Sequence, residues 1–150
     1  MKKFVFSLKA VYKYKLTVEK MQKADLSRAE HALRELREKE RLLNEDFARA
    51  GSERDEVLKR HTDIIEELEE YDRYFRYLRE AKKELAAKIV RAENIRDMCR
   101  VKLLATMKEL KTYRKLREEQ YRQYLKDVAT EEEKEMGDLV SFAVVSGVEK

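Results

Sequence analysis

From Val57 onward, one register of the chain recurs in alternating steps of four and three residues. It runs through Val57, His61, Ile64, Leu68, Tyr71, Phe75 and Leu78, and on through Leu85, Ile89, Ala92, Cys99, Leu103, Leu110 and Tyr113 to Tyr124. Lys82, Arg96, Thr106, Arg117 and Gln120 fill the places between. A mean step of 3.5 keeps one stripe on one side of a helix and requires a second helix to cover it. Strands and ordinary globular helices do not hold such a register. The polar members are mostly long side chains, whose stems lie along a seam while their heads reach water. The first half repeats the pattern at Ala29, Leu33, Leu36, Glu40, Leu43, Phe47 and Ala50, and upstream at Phe4, Leu8, Val11, Lys15 and Val18. Joining these runs through Gln22 and Leu26 takes two successive steps of four, a local unwinding of a supercoil.

Composition agrees with long helices. Charged residues make up 44% of the chain, proline is absent and there are three glycines, so little is available for loops. The strongest break is Ala50-Gly51-Ser52-Glu53-Arg54-Asp55. Glycine suits a helix end, and Ser52 with Asp55 has the spacing of a capping box. The reading is an all-α fold and a single coiled-coil domain: a long antiparallel two-helix coiled-coil hairpin with a short bent helical tip. It predicts a helix over about 3–50, a tip over about 51–70, a long helix over about 70–136 and an apolar tail over 137–150. A second turn at His61-Thr62-Asp63 would bring the termini together. The basic start (Lys2, Lys3, Lys9, Lys13, Lys15, Lys20 and Lys23) is then expected to face the acidic block Asp127, Glu131, Glu132, Glu133, Glu135 and Asp138.

Catalytic constellations are missing. His31 and His61 stand alone, no Glu-x-x-His pair could build a di-metal site, and there is no phosphate loop or nucleophile beside a base. The expectation is a non-enzyme with no cofactor, no metal and no small-molecule substrate. Cys99, the one cysteine, falls on the apolar stripe and reads as a small core residue in a reducing compartment. Lys9, Lys13 and Lys15 interrupt any signal-peptide core, and no window resembles a membrane span, which predicts a cytoplasmic protein. The basic band from Arg96 to Lys126 contains no recognisable nucleic-acid module and is diluted by Glu109, Glu118 and Glu119, so no nucleic-acid partner is expected. One local excess remains, in Tyr71-Asp72-Arg73-Tyr74-Phe75-Arg76-Tyr77-Leu78. Tyr74, Leu78 and Ala81 form a row flanking the seam, either as rings covering the tip or as a partner-binding patch.

The opening pattern Phe4-x-Phe6-x-Leu8-x-x-Val11-Tyr12-x-x-Lys15-x-x-x-Glu19 resembles the N-terminal signature of the FliJ family, small coiled-coil proteins of the flagellar type III export apparatus. The resemblance recurs at Tyr74-Phe75-Arg76-Tyr77-Leu78-Arg79-Glu80, at Leu116-Arg117-Glu118-Glu119-Gln120-Tyr121-x-x-Tyr124-Leu125, and at Glu133-Lys134-x-x-x-Asp138. It implies an antiparallel coiled coil similar to the central stalk of rotary ATPases, at the cytoplasmic face of the cell membrane at the flagellar base. The implied partners are the hexameric flagellar export ATPase, the cytoplasmic part of the membrane export gate, and export chaperones. By the same resemblance Phe4, Leu8, Val11, Lys15, Glu19, Tyr124, Glu133 and Asp138 belong to the ATPase-binding end. Tyr74, Tyr77, Leu78 and Ala81 would contact the gate or chaperones. The alternatives are a generic cytoplasmic coiled-coil scaffold or holding chaperone without an ATPase partner, and a membrane-surface protein that inserts Phe4 and Phe6 among acidic lipids.

Overall fold

A computed structural model of the chain describes residues 2–148, with side chains to residue 147. The fold is all-α: helix α1 (Lys9–Arg60, 52 residues) and helix α2 (Ile65–Val148, 84 residues) pack antiparallel as a hairpin, with no strand among the described residues. The chain forms two compact units. One comprises Met1–Lys20 with Leu104–Lys150, the other Met21–Leu103.

In the second unit the expected stripes become the seam. Ala29, Leu33, Ala50 and Val57 of α1 are buried, as are Leu78, Ile89 and Leu103 of α2. The Phe47 and Phe75 rings lie 6.1 Å apart, with Lys82 Nζ 5.5 Å above Phe47 and the Arg54 guanidinium 5.2 Å above Phe75. Lys82 is exposed, with Ala81 half-buried beside it, and reaches the seam by laying its charge on an aromatic face. Ion pairs Arg100–Glu30 (3.6 Å), Arg37–Glu93 (3.6 Å) and Arg54–Asp72 (3.8 Å) follow the antiparallel register along the flanks. Exposed pairs of this kind are worth about 0–1 kcal/mol each, so they align more than they stabilise.

Three boundaries differ from expectation. Gly51 does not end α1, which continues nine residues further to Arg60. A helical glycine costs about 1 kcal/mol relative to alanine. Burying a side chain such as Val57, 2% exposed, returns about 1.5–3 kcal/mol, so the extended seam wins. The chain reverses instead over 61–64, where the sequence had offered a second turn. His61 (φ 61°) and Asp63 (φ 47°) adopt the left-handed conformation there, and Arg60 spans the turn to Glu67 at 2.9 Å. His61 is consequently exposed rather than in the seam. At the other end Gly137 is helical too, so the tail continues α2.

The third difference lies at the start. Residues 2–8 are not helical, and α1 begins at Lys9. Tyr12 is half-buried on the packed face, while Val11, expected there, is 40% exposed. Opposite, Leu116 is half-buried and Arg117 is exposed, one residue off the expected stripe. Below these, Leu110 is 0% exposed and Thr106 5%.

Candidate partner-binding surfaces

In the unit that holds the chain start, the extended segment lies back along α2. Phe4 meets the Tyr121 ring edge-on at 5.2 Å and the Tyr124 ring at 5.6 Å, and the Tyr124 hydroxyl donates to the Lys2 carbonyl at 2.8 Å. Ser7 and Gln120 exchange hydrogen bonds, with Gln120 Nε2 donating to Ser7 Oγ at 3.0 Å. Phe6 is 5% exposed, edge-on to Tyr12. The Tyr12 hydroxyl accepts from Arg114 Nε at 3.2 Å. One turn on, Lys15 Nζ lies 2.6 Å from Glu109. The Glu109 carboxylate raises the Lys15 pKa.

These contacts fix the register, and with it the correction of one charge expectation. Lys2 sits beside Tyr124, so the acidic block begins where the paired chain start ends. No ion pair among the described residues joins Lys2, Lys3, Lys9 or Lys13 to the acidic block. Of the residues expected at the ATPase-binding end, Phe4 and Tyr124 touch, and Lys15 is bound to Glu109. Leu8 and Glu19 are half-buried near them in sequence. Glu133 and Asp138 are exposed further along α2 and are not gathered with the rest. Sequence reasoning left Ser7, Tyr12, Gln120 and Tyr121 off this surface. Tyr121, three residues before Tyr124 and stacked with it at 6.2 Å, was the available signal.

Shallow grooves flank Phe4. One is lined by Phe4, Arg114, Arg117, Glu118 and Tyr121; the other includes Phe6, Lys9, Tyr12, Lys13 and Leu16. Aromatic floors with basic rims suit an acidic partner bearing apolar side chains.

The second surface lies in the other unit. Tyr74 and Tyr77 are 41% and 67% exposed and stack at 6.3 Å with their planes 23° apart. Leu78, expected in the same row, is 1% exposed and belongs to the seam, while Ala81 is half-buried. The displayed surface is therefore the tyrosine pair. Tyr71 turns inward and donates to Glu53 at 3.3 Å; partial burial, then the Glu53 charge, raises its pKa.

Among the described residues no group of three or more His, Cys, Asp or Glu side chains is placed to hold a metal ion. No described helix is long and apolar enough to cross a membrane.

These features define a class: a two-helix hairpin whose displayed chemistry is that of recognition, with aromatic rings set among charges. A family model described as Flagellar FliJ protein matches residues 13–147, and the chain belongs to that family. No curated protein and no solved structure matches it. Membership makes the protein a component of the flagellar protein export apparatus, and so of flagellum biogenesis and type III secretion, in a family of non-catalytic components.

Proposed function

We propose that this chain is the stalk-like partner of the hexameric flagellar export ATPase, working at the cytoplasmic face of the membrane at the flagellar base. The ATPase is bound through the unit holding the chain start. The contact set is Phe4, Leu8, Val11, Lys15 and Glu19 with Tyr124, Glu133 and Asp138. The export gate and export chaperones are met through Tyr74 and Tyr77, with Ala81 beside them. The observation that best supports the reading is the aromatic clasp of Phe4 on Tyr121 and Tyr124. It fixes the chain start against α2 beside a helix segment whose side chains are exposed and can meet a partner.

Rings with a polar end and basic groove rims favour contacts that form quickly and weaken with salt. Such contacts suit a component that binds and releases repeatedly. Binding is tested by titrating the chain into the purified export ATPase and following hydrolysis and ring assembly. Phe4→Ala combined with Tyr124→Ala is expected to weaken the effect at least about tenfold, the scale of losing one aromatic anchor. Equal potency of that variant would exclude this surface.

A further inference from the structure

Past Val128, α2 carries a stretch that no other described residue covers. Every residue from Ala129 to Val145 is exposed, with Leu139 at 66% and Phe142 at 72%. At helical spacing it continues one line of side chains that runs from Arg114, bonded to Tyr12, and Arg117 through Tyr121 (47% exposed beside Phe4), Leu125 (47% exposed) and the half-buried Val128 to Glu132 and Glu135. Read along the helix it is basic, then apolar, then acidic. Such an order is its own complement when reversed.

We propose that two copies of this chain pair antiparallel through this face, about a two-fold axis at Leu125. Residues roughly equidistant from the axis then meet. Leu125 packs on Leu125 of the second copy, and Tyr121 packs on its Val128. Arg117 reaches its Glu132, and Arg114 its Glu135. The Leu125 contact lies on the axis and every other pair is made twice by symmetry, so an apolar centre is closed on both sides by opposite charges. Further out, Phe142 arrives at Met107, itself 36% exposed. The pairing runs over about 50 Å of helix, long enough for an interface on the order of 1,000 Å². A parallel pairing would set Glu132 against Glu132 and Arg117 against Arg117, so charge selects the direction as well as the partner.

The groove beside Phe4, lined by Arg114, Arg117, Glu118 and Tyr121, lies on the same face and would receive the acidic segment of the second copy. If the ATPase is bound as proposed above, the dimer masks Tyr124, Glu133 and Asp138 until the ATPase displaces it. That consequence rests on the proposed function, whereas the pairing is measured without the ATPase.

Sedimentation equilibrium on the full chain at low salt is the test. The wild type is expected to dimerise in a concentration-dependent way and to dissociate as salt is raised. The double variants Glu132→Lys/Glu135→Lys and Arg114→Glu/Arg117→Glu should each associate at least about tenfold more weakly, since attraction becomes repulsion. Their equimolar mixture should dimerise as well as the wild type, a rescue that a folding defect would not produce. In a Cys99→Ser background, Leu125→Cys should cross-link to itself on oxidation and Met136→Cys should not. A wild type monomeric at every concentration, a mixture that fails to associate, or cross-linking at position 136 in place of 125 would overturn the pairing. So would a monomer whose 129–145 segment becomes protected only when the export ATPase is added, which would give this face to the ATPase.

Discussion

At the scale of single residues, burial separates side chains that hold the fold from those that are displayed. Leu110 is 0% exposed, and Leu110→Ala should cost about 2–5 kcal/mol in urea unfolding, as core truncations do. Tyr77, 67% exposed, should change stability by no more than about 0.5 kcal/mol on Tyr77→Ala. Equal costs would contradict the assignment of one to the seam and the other to a surface. Titration provides a second check. The folded-state pKa values of Lys15 and Tyr71 are raised above ordinary values of 10.5 and 10.0. A raised pKa means the folded state holds its proton more tightly. Both groups therefore contribute stability that is complete below about pH 10 and lost as pH climbs through the raised values. Glu38 acts in the opposite sense: its Arg41 partner lowers its pKa from 4.5, so its contribution is lost as pH falls below that value. All three are solvent-screened and their effects small. Thermal melts should show a modest alkaline decline that Lys15→Met reduces, and a wild-type profile flat from about pH 9 to 11.5 would contradict it.

At the scale of elements, the seam was legible because a 3.5-residue step has one physical meaning. Leu33, Ala50, Val57, Leu78, Ile89, Leu103 and Leu110 are all buried where the register put them. Boundaries were less legible, because local propensity and long-range packing disagree at Gly51. The turn chemistry near that glycine looked stronger than that of His61-Thr62-Asp63, yet only the latter lies where the seam permits reversal. Gly51 is helical, and a methyl group added to its Cα would meet no heavy atom within 4 Å. Gly51→Ala should therefore raise stability by about 0.5–1 kcal/mol; a loss would mean that a helix end is needed there after all. Residues 3–8 carry a helical expectation because Phe4 and Leu8 keep the heptad spacing, yet α1 begins only at Lys9. The partners of Phe4, Tyr121 and Tyr124, are more than a hundred residues away, and no local pattern announces such a clasp. The same blindness set the lysines of the start against the acidic block, which the clasp leaves uncovered.

At the scale of the whole molecule, the family could be read from four short motifs in order, and the match over residues 13–147 places the chain in it. The surfaces were only partly legible: Tyr74 and Tyr77 are displayed, whereas Leu78 beside them is buried. Which side of a heptad residue faces outward depends on the partner helix, and sequence spacing alone does not supply that. As proposed, the unit holding the chain start engages the export ATPase while the tyrosine pair serves other partners. The most direct measurement titrates three forms of the chain against the purified ATPase: wild type, Phe4→Ala/Tyr124→Ala and Tyr74→Ala/Tyr77→Ala. Wild type and the Tyr74/Tyr77 variant are expected to bind equally and alter hydrolysis or ring assembly alike, while the Phe4/Tyr124 variant is at least about tenfold weaker. Absence of wild-type binding, or loss of binding through Tyr74 and Tyr77 instead, would contradict it.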